Sequence, residues 1–247
     1  MKRFLLTVGL VTGLVLGAAS YAKATFVSYG SAYDFGRITS NNPEDVGPLL
    51  HVQLGSDSDV VGYAAFRFDF APSAIPLNPT ISSIYFEDGA YSSGKLFGVA
   101  PGSPLSPNPV FDPTQSSAGV NFGVGSPTVG LPGAGSLSPA FINRSGYLAT
   151  STSNPGNGLN AGEHAMFFVK LNAGVTLADI AAALANPVFN GGAGYDLRIG
   201  LREENDLGGT GDGYLIHAPE PATVGVWALG IAVMGCVAVW RRKKASA

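Results

Sequence analysis

The sequence predicts an all-β ectodomain, a single β-sandwich of jelly-roll or immunoglobulin-like character with one short helix, followed by a C-terminal transmembrane helix. Three observations predict this arrangement. Short apolar stretches alternate with polar residues at a period of two and are separated by turns rich in Gly, Pro, Ser and Asn. Only one stretch between the two ends carries helix start and stop signals, and one long uncharged run lies near the C-terminus. A strand-rich chain with a single helix is typical of a sandwich.

The N-terminus has the three parts of a secretory signal peptide. Residues 2–3 are basic, residues 4–16 are apolar, and Ala22 and Ala24 form an Ala-x-Ala cleavage site. We expect cleavage after Ala24, so that residues 1–24 are removed during export. An uncleaved N-terminal anchor is the alternative, but the apolar run is short for a membrane span.

Strand patterns recur through the body of the chain, residues 25–218. Phe66, Phe68 and Phe70 alternate with polar residues, for example, which predicts a strand with one buried face. The predicted strands are 50–54, 66–70, 81–87, 96–99, 120–124, 165–171, 195–201 and 214–216. The Pro-rich and Gly-rich segment 101–139 is predicted to be mostly loop.

One helix is predicted in the body. Thr176 is placed to cap it, and Asp179, three residues later, completes a capping box. Residues 177–185 are strong helix formers, and Pro187 ends the run. This helix is expected to link two strands.

Charge and cysteine content restrict the function of the body. Seven of the 14 Lys and Arg residues lie in the terminal segments, and 16 of the 17 acidic residues lie between them, so the body has a formal charge of about −9. This charge argues against nucleic acid and anionic lipid as partners. The single cysteine, Cys236, lies in the apolar C-terminal run, so the body has no disulfide and no cysteine metal site.

Acidic residues in turns offer carboxylates to a hard cation such as calcium. The candidate calcium ligands are Glu203, Glu204, Asp206 and Asp212. Two pairs, Asp57 with Asp59 and Glu87 with Asp88, are open alternatives. A further alternative is that these acidic residues lie in solvated loops and bind no ion. The sequence itself does not choose among these groups.

The sequence offers no catalytic constellation. His51, His164 and His217 stand far apart, with no H-E-x-x-H or G-x-S-x-G motif near them. We therefore expect no zinc or triad site and nominate no catalytic residue. A carbohydrate-active enzyme with paired carboxylates stays a lower-ranked alternative.

The C-terminal segment has three consecutive parts. Pro219, Glu220 and Pro221 favour an extended conformation, because each proline fixes φ and removes a backbone donor. Residues 222–240 carry no charge and are long enough to span a bilayer as a helix. A basic cluster follows at Arg241, Arg242, Lys243 and Lys244. Basic residues beside a span stay on the cytoplasmic side, which places the body outside.

In their order and spacing, these three parts resemble the PEP-CTERM sorting signal carried by substrates of bacterial exosortases. The resemblance covers about residues 218–244. It implies that an exosortase, a membrane-embedded cysteine transpeptidase-like enzyme, cuts near the Pro-Glu-Pro motif and passes the body to the cell exterior. The expected domains are a signal peptide (1–24), the ectodomain (25–218) and the sorting signal (219–244).

The expected function follows from these signals. The chain is predicted to pass the bacterial inner membrane, to be anchored there transiently, and to act at the cell surface or in the extracellular matrix of a biofilm. Its ectodomain is expected to be non-catalytic, with exopolysaccharide as a candidate partner. The alternative is a carbohydrate-binding or calcium-dependent adhesive module.

Overall fold

The computed structural model describes residues 25–58, 60–74, 78–88, 96–98, 109–124, 130–137, 140–141, 148–151, 157–185, 197–204 and 211–217. The predicted signal peptide and sorting signal lie outside these residues, and the domain boundaries stay predictions. Within the described part, no helix is both long enough and apolar enough to cross a bilayer. The predicted span, residues 222–240, falls outside that part.

The described chain is mostly β with one α-helix, as the sequence predicts. The elements are β1 (Val27–Ser28), β2 (Tyr33–Arg37), β3 (Leu50–Ser56), β4 (Tyr63–Phe70), β5 (Thr80–Asp88), β6 (Val110–Phe111), β7 (Phe122–Val124), β8 (Leu148–Ser151), β9 (Leu159–Asn160), β10 (His164–Lys170), α1 (Leu177–Ala185), β11 (Leu197–Glu204) and β12 (Asp212–His217). The predicted strand at 96–99 is wrong over its described part, residues 96–98, where Phe97 forms only an isolated bridge with Leu171. Val99 lies outside the described residues.

The strands form one continuous antiparallel sheet, which corrects the prediction of two separate sheets. Its order is β6-β10-β4-β3-β2-β12-β11-β5-β8-β7, with β1 beside β3 and β9 beside β5. The strand β2 joins the two halves, because Tyr33 and Asp34 pair with β3 while residues 34–37 pair with β12. Because β2 pairs on both sides, the strand order continues through it without a break. The prediction failed here because a period of two identifies a buried face but not the neighbour of each strand.

The sheet curls around a core of aromatic rings on its inner face. Phe68 contacts Phe86 and Phe167 edge to face, with ring centroids 6.0 and 5.7 Å apart. At the two ends of the strand order, Phe111 of β6 and Phe122 of β7 approach to 5.8 Å. Each buried Phe contributes roughly 1.5–3 kcal/mol to the free energy of folding. The aromatic core therefore draws the two ends of the sheet together.

The helix α1 forms where the capping signals predict it. The Asp179 carboxylate accepts hydrogen bonds from the Thr176 backbone N–H at 2.8 Å and from its hydroxyl at 2.7 Å, while the Asp179 N–H donates to Thr176 Oγ1 at 3.3 Å. These bonds lower the pKa of the Asp179 carboxyl. Ile180 and Leu184, four residues apart on one face, are buried in the core.

Parts of the outer face of the sheet are covered as well. Leu131 and Phe141 pack against Tyr85 and Leu215 in a second apolar cluster. Gly200 permits this contact, because a Cβ atom at that position would lie 2.7 Å from Leu131 Cδ2. The strands beneath this covering segment are thus buried on both faces.

Candidate functional site

The predicted calcium ligands only partly come together. Glu203 of β11 and Asp212 of β12 are directly paired in the sheet and both are buried. Glu204, the next residue along β11, accepts instead from Arg202 Nε at 2.9 Å. Asp206 lies outside the described residues. The structure therefore places two of the four carboxylates in one buried cluster.

Asp212 is held by donors from the last residue of β2 and from the loop that follows it. Its carboxylate pairs with the Arg37 guanidinium and accepts from Thr39 Oγ1 at 2.9 Å, from Asn41 N at 2.7 Å and from Asn42 N at 3.2 Å. Charge-assisted bonds of this kind are among the strongest in proteins. They fasten the loop to the start of β12, and the arginine supplies the positive charge beside the carboxylate.

Glu203 lies beside this network and is 2 % exposed. Asn42 Nδ2 donates to its carboxylate at 2.7 Å. The pKa of Glu203 is raised to about 7, chiefly by burial and also by the Asp212 and Glu44 charges, against the lowering effects of the Asn42 hydrogen bond and the Arg37 charge. Among the described residues, no group of three ligating side chains is placed to hold a metal ion. Calcium binding at this cluster remains a prediction, since Asp206 cannot be placed.

The alternative acidic pairs have structural partners. Glu87 forms a buried ion pair with Arg198. Asp88 accepts from the backbone N–H groups of Leu96 at 3.0 Å and Phe97 at 2.9 Å. Asp57 accepts from Gln115 Nε2 at 2.7 Å, and its predicted partner at position 59 lies outside the described residues.

All three histidines of the chain lie in one cross-strand row, which the sequence reasoning missed. The register pairs His217 with Asp34, Asp34 with His51, His51 with Asp69, and Asp69 with His164. The strands β12, β2, β3, β4 and β10 each contribute one residue. Directly paired residues of an antiparallel sheet share a face, so histidine and aspartate alternate along one line. We call these five residues the histidine row.

The centre of the histidine row is open to solvent. His51 Nδ1 lies 2.8 Å from Asp34 Oδ1, and the two side chains are 34 % and 67 % exposed. Beside them, Arg67 Nε donates to Asp69 Oδ1 at 3.0 Å. An open depression of about 470 Å³ lies here, lined by Ala32, Asp34, His51, Gln53, Arg67 and Asp69.

The end of the row at β10 contains a serine and histidine contact. Ser117 Oγ lies 3.0 Å from His164 Nδ1 and also accepts the His164 backbone N–H at 2.9 Å. The nearby carboxylate of Glu163 accepts instead from Asn160 N and Nδ2, at 2.8 and 3.0 Å. This contact fastens a loop to the strand β10, and the described partners of His164 include no carboxylate that would complete a triad.

Strand alternation indicates that His51 and Asp69 point away from the core. It does not indicate that they are neighbours, because the register of a strand depends on contacts distant in sequence. The row could have been found only by pairing each outward histidine with an outward aspartate.

Comparison with known proteins identifies the C-terminal segment. A family model for the PEP-CTERM protein-sorting motif matches residues 217–243. No curated protein and no solved structure matches the chain. The match begins at His217, the last residue of β12. The chain therefore carries the PEP-CTERM sorting motif that its Pro-Glu-Pro sequence, apolar run and basic end predict.

Proposed function

We propose that this chain is an exosortase substrate whose non-catalytic β domain acts at the cell surface or in the extracellular matrix. The observation that carries the proposal is the sorting motif at residues 217–243. Such a motif implies export to the cell envelope and processing by an exosortase. Transient anchoring in the inner membrane through residues 222–240 and a role in the matrix are parts of the proposal.

The position of the motif supports processing after the domain has folded. Pro219 is two residues beyond the end of β12, and an extended chain spans at most about 3.6 Å per residue, so the motif begins within roughly 7 Å of the strand. The last described strand to be synthesised, β12, lies between β2 and β11 and so completes the middle of the sheet. A cut at or after Pro219 removes no described strand, and the released part keeps its fold.

The non-catalytic role is supported by what the acidic residues contact. Glu87 neutralises a buried arginine, Asp212 fastens a loop, and Glu163 accepts from Asn160. Each of these three carboxylates has a structural partner within the described chain. The proposal treats them as elements of stability.

Replacing the motif residue Glu220 by alanine is expected to block processing. The full-length chain should accumulate in the inner membrane, while the wild type should yield a shorter exported form. Intact-mass measurement of both fractions, in cells with an active exosortase, locates the cut. Pro72→Ala, at an exposed proline in the body, is the control and should be processed normally. Normal release of the Glu220→Ala chain would contradict the proposal.

A second candidate, binding of a polysaccharide, is favoured by the depression beside the histidine row. Its carboxylates, amide and guanidinium can donate to and accept from sugar hydroxyl groups. Arg67→Ala is expected to weaken glycan retention on an array by about tenfold, if a contact of about 1.4 kcal/mol is lost. Arg202→Ala, which removes an arginine outside the depression, should have no effect. If the wild-type chain retains no glycan on the array, polysaccharide binding is excluded as its function.

A further inference from the structure

We propose that one end of the sheet rests on the membrane while the chain is anchored, with exposed apolar side chains in the interfacial zone of the bilayer. This end carries Ser56, the last residue of β3, and Tyr63, the first residue of β4, and we call it the exit end. The partner is a zwitterionic lipid surface, contacted at the boundary between headgroups and acyl chains. This inference rests on the transient anchoring proposed above.

The strand directions place both ends of the described chain at the exit end. The strand β12 is antiparallel to β2, which is antiparallel to β3, so β12 and β3 both run toward the exit end. The strand β1 is antiparallel to β3 and pairs Val27 with Ser56, so the chain also enters the sheet there. The predicted signal peptide precedes β1, and the sorting motif follows β12. Two membrane-directed segments therefore join the domain at the same end.

The short connection after β12 holds the exit end close to the bilayer. His217 is level with Asp34 and His51, five residues before Ser56 along β3. From His217 to residue 222, where the predicted span begins, an extended chain covers at most about 18 Å, and the same number of residues in β3 covers about 17 Å. The span can therefore begin level with Ser56 and no farther away.

The exposed apolar side chains of the described chain gather at the exit end. Val27 pairs with Ser56, and the Tyr29 N–H donates to the Leu54 carbonyl at 2.7 Å. Val61, which is 88 % exposed, lies in the turn just before Tyr63. Val110 pairs with Phe168, two residues before β10 ends beside Tyr63. We call the four exposed side chains the apolar tip: Val27, Tyr29, Val61 and Val110.

The apolar tip has a packed base on the outer face of the sheet. Phe26, Val60 and Tyr63 pack against the buried Met166 and Phe168. A Cβ atom at position 55 would collide with the Phe26 ring, so the glycine there permits this packing. Clustered apolar side chains on a surface mark an interaction site, and tyrosine is favoured at the membrane interface.

The charges at the exit end fit a zwitterionic surface. Lys170 pairs with Tyr63 and is partly exposed, so its ammonium group can meet lipid phosphate. Asp57, in the same turn as Val61, is buried and accepts from Gln115, while Asp59 lies outside the described residues. The body as a whole is acidic and repels anionic lipid. The contact therefore depends on apolar side chains rather than on net charge.

The test measures lipid contact of the full chain in phosphatidylcholine vesicles, with the chain produced without an exosortase so that its sorting segment is kept. Cys236→Ser removes the only cysteine, and Val61→Cys or Ser73→Cys then carries one fluorophore. Ser73 is exposed and follows the opposite end of β4, a strand about 24 Å long. Nitroxide lipids should quench position 61 about threefold more strongly than position 73, since interfacial side chains lie roughly 5–10 Å deep.

A charge added to the tip should weaken the contact. Val27→Asp is expected to lower the quenching at position 61 by about twofold, because a carboxylate resists transfer into the interface. Pro72→Asp adds the same charge at an exposed position beyond the opposite end of β4 and should leave the quenching unchanged. Circular dichroism checks that each labelled chain is folded.

A fluorophore on the natural Cys236, in the predicted span, reports whether the chain is anchored. Quenching at Cys236 without quenching at position 61 would overturn this proposal and leave the anchoring intact. Absence of quenching at Cys236 would contradict the anchoring, and this inference with it. Protection of position 61 from aqueous iodide without quenching by lipid would show that a second copy of the chain covers the apolar tip, which also overturns the proposal.

Discussion

Replacing Arg198 by methionine is expected to lower the free energy of unfolding by about 3–5 kcal/mol, because it leaves the buried Glu87 carboxylate without its partner. Arg198 is fully buried, donates to the Ala140 carbonyl at 2.9 Å, and stacks its guanidinium 5.1 Å from the centre of the Phe141 ring. Thermal unfolding followed by circular dichroism measures the loss.

Two further variants separate the cause. The double variant Arg198→Met with Glu87→Leu should recover most of the lost stability, since replacing both partners of a buried pair by apolar groups is often neutral. Arg67→Met breaks the half-exposed pair with Asp69 and should cost less than about 1 kcal/mol. If Arg198→Met melts no lower than Arg67→Met, the buried pair does not stabilise the domain as described.

Ionisation of Glu203 is expected to lower the free energy of unfolding as the pH rises from 4.5 to 7. Glu203→Gln should remove this contribution. The ordinary pKa of this carboxyl is 4.5, and burial raises it to about 7 in the folded chain. Between these values the folded state binds more protons than the unfolded state, so ionisation favours unfolding. The difference between the two pKa values corresponds to about 3 kcal/mol of free energy of unfolding, which is lost above pH 7.

The measurement is the melting temperature of wild type and variant between pH 5 and pH 8. Glu203→Gln should be more stable than the wild type at pH 8 and similar to it near pH 5. Glu204→Gln removes the same charge one residue away, where the carboxylate is partly exposed and paired with Arg202, and should leave the pH dependence unchanged. Parallel pH curves for wild type and Glu203→Gln would show that Glu203 does not titrate in this range.

Local signals predicted the secondary structure well. The alternation of Phe66, Phe68 and Phe70 identified β4, and Thr176 with Asp179 identified the start of α1. Both predictions succeed because strand alternation and helix capping depend on side chains only a few residues apart. The strand prediction for 96–99 failed over the described residues 96–98, because these pair only at Phe97. An apolar stretch does not reveal whether a partner strand extends alongside it.

The candidate sites were harder to predict. Acidic residues close in sequence were grouped as calcium ligands, yet Glu203 and Glu204 separate because successive residues of a strand point to opposite faces. The residues that contact Asp212 are Arg37, Thr39, Asn41 and Asn42, about 170 positions earlier in the chain. No pattern within either segment indicates this contact.

The sequence by itself determined where the protein is sent, because a sorting motif is recognised as a linear segment and Pro219-Glu220-Pro221 needs no fold to be recognised. It also determined which residues form most strands and which faces are buried, since alternation is local. Only the tertiary structure decided that the strands join in one sheet, that Arg37 reaches Asp212, and that three distant histidines share one row. Those features depend on strand order and register, which the packing of the whole aromatic core fixes.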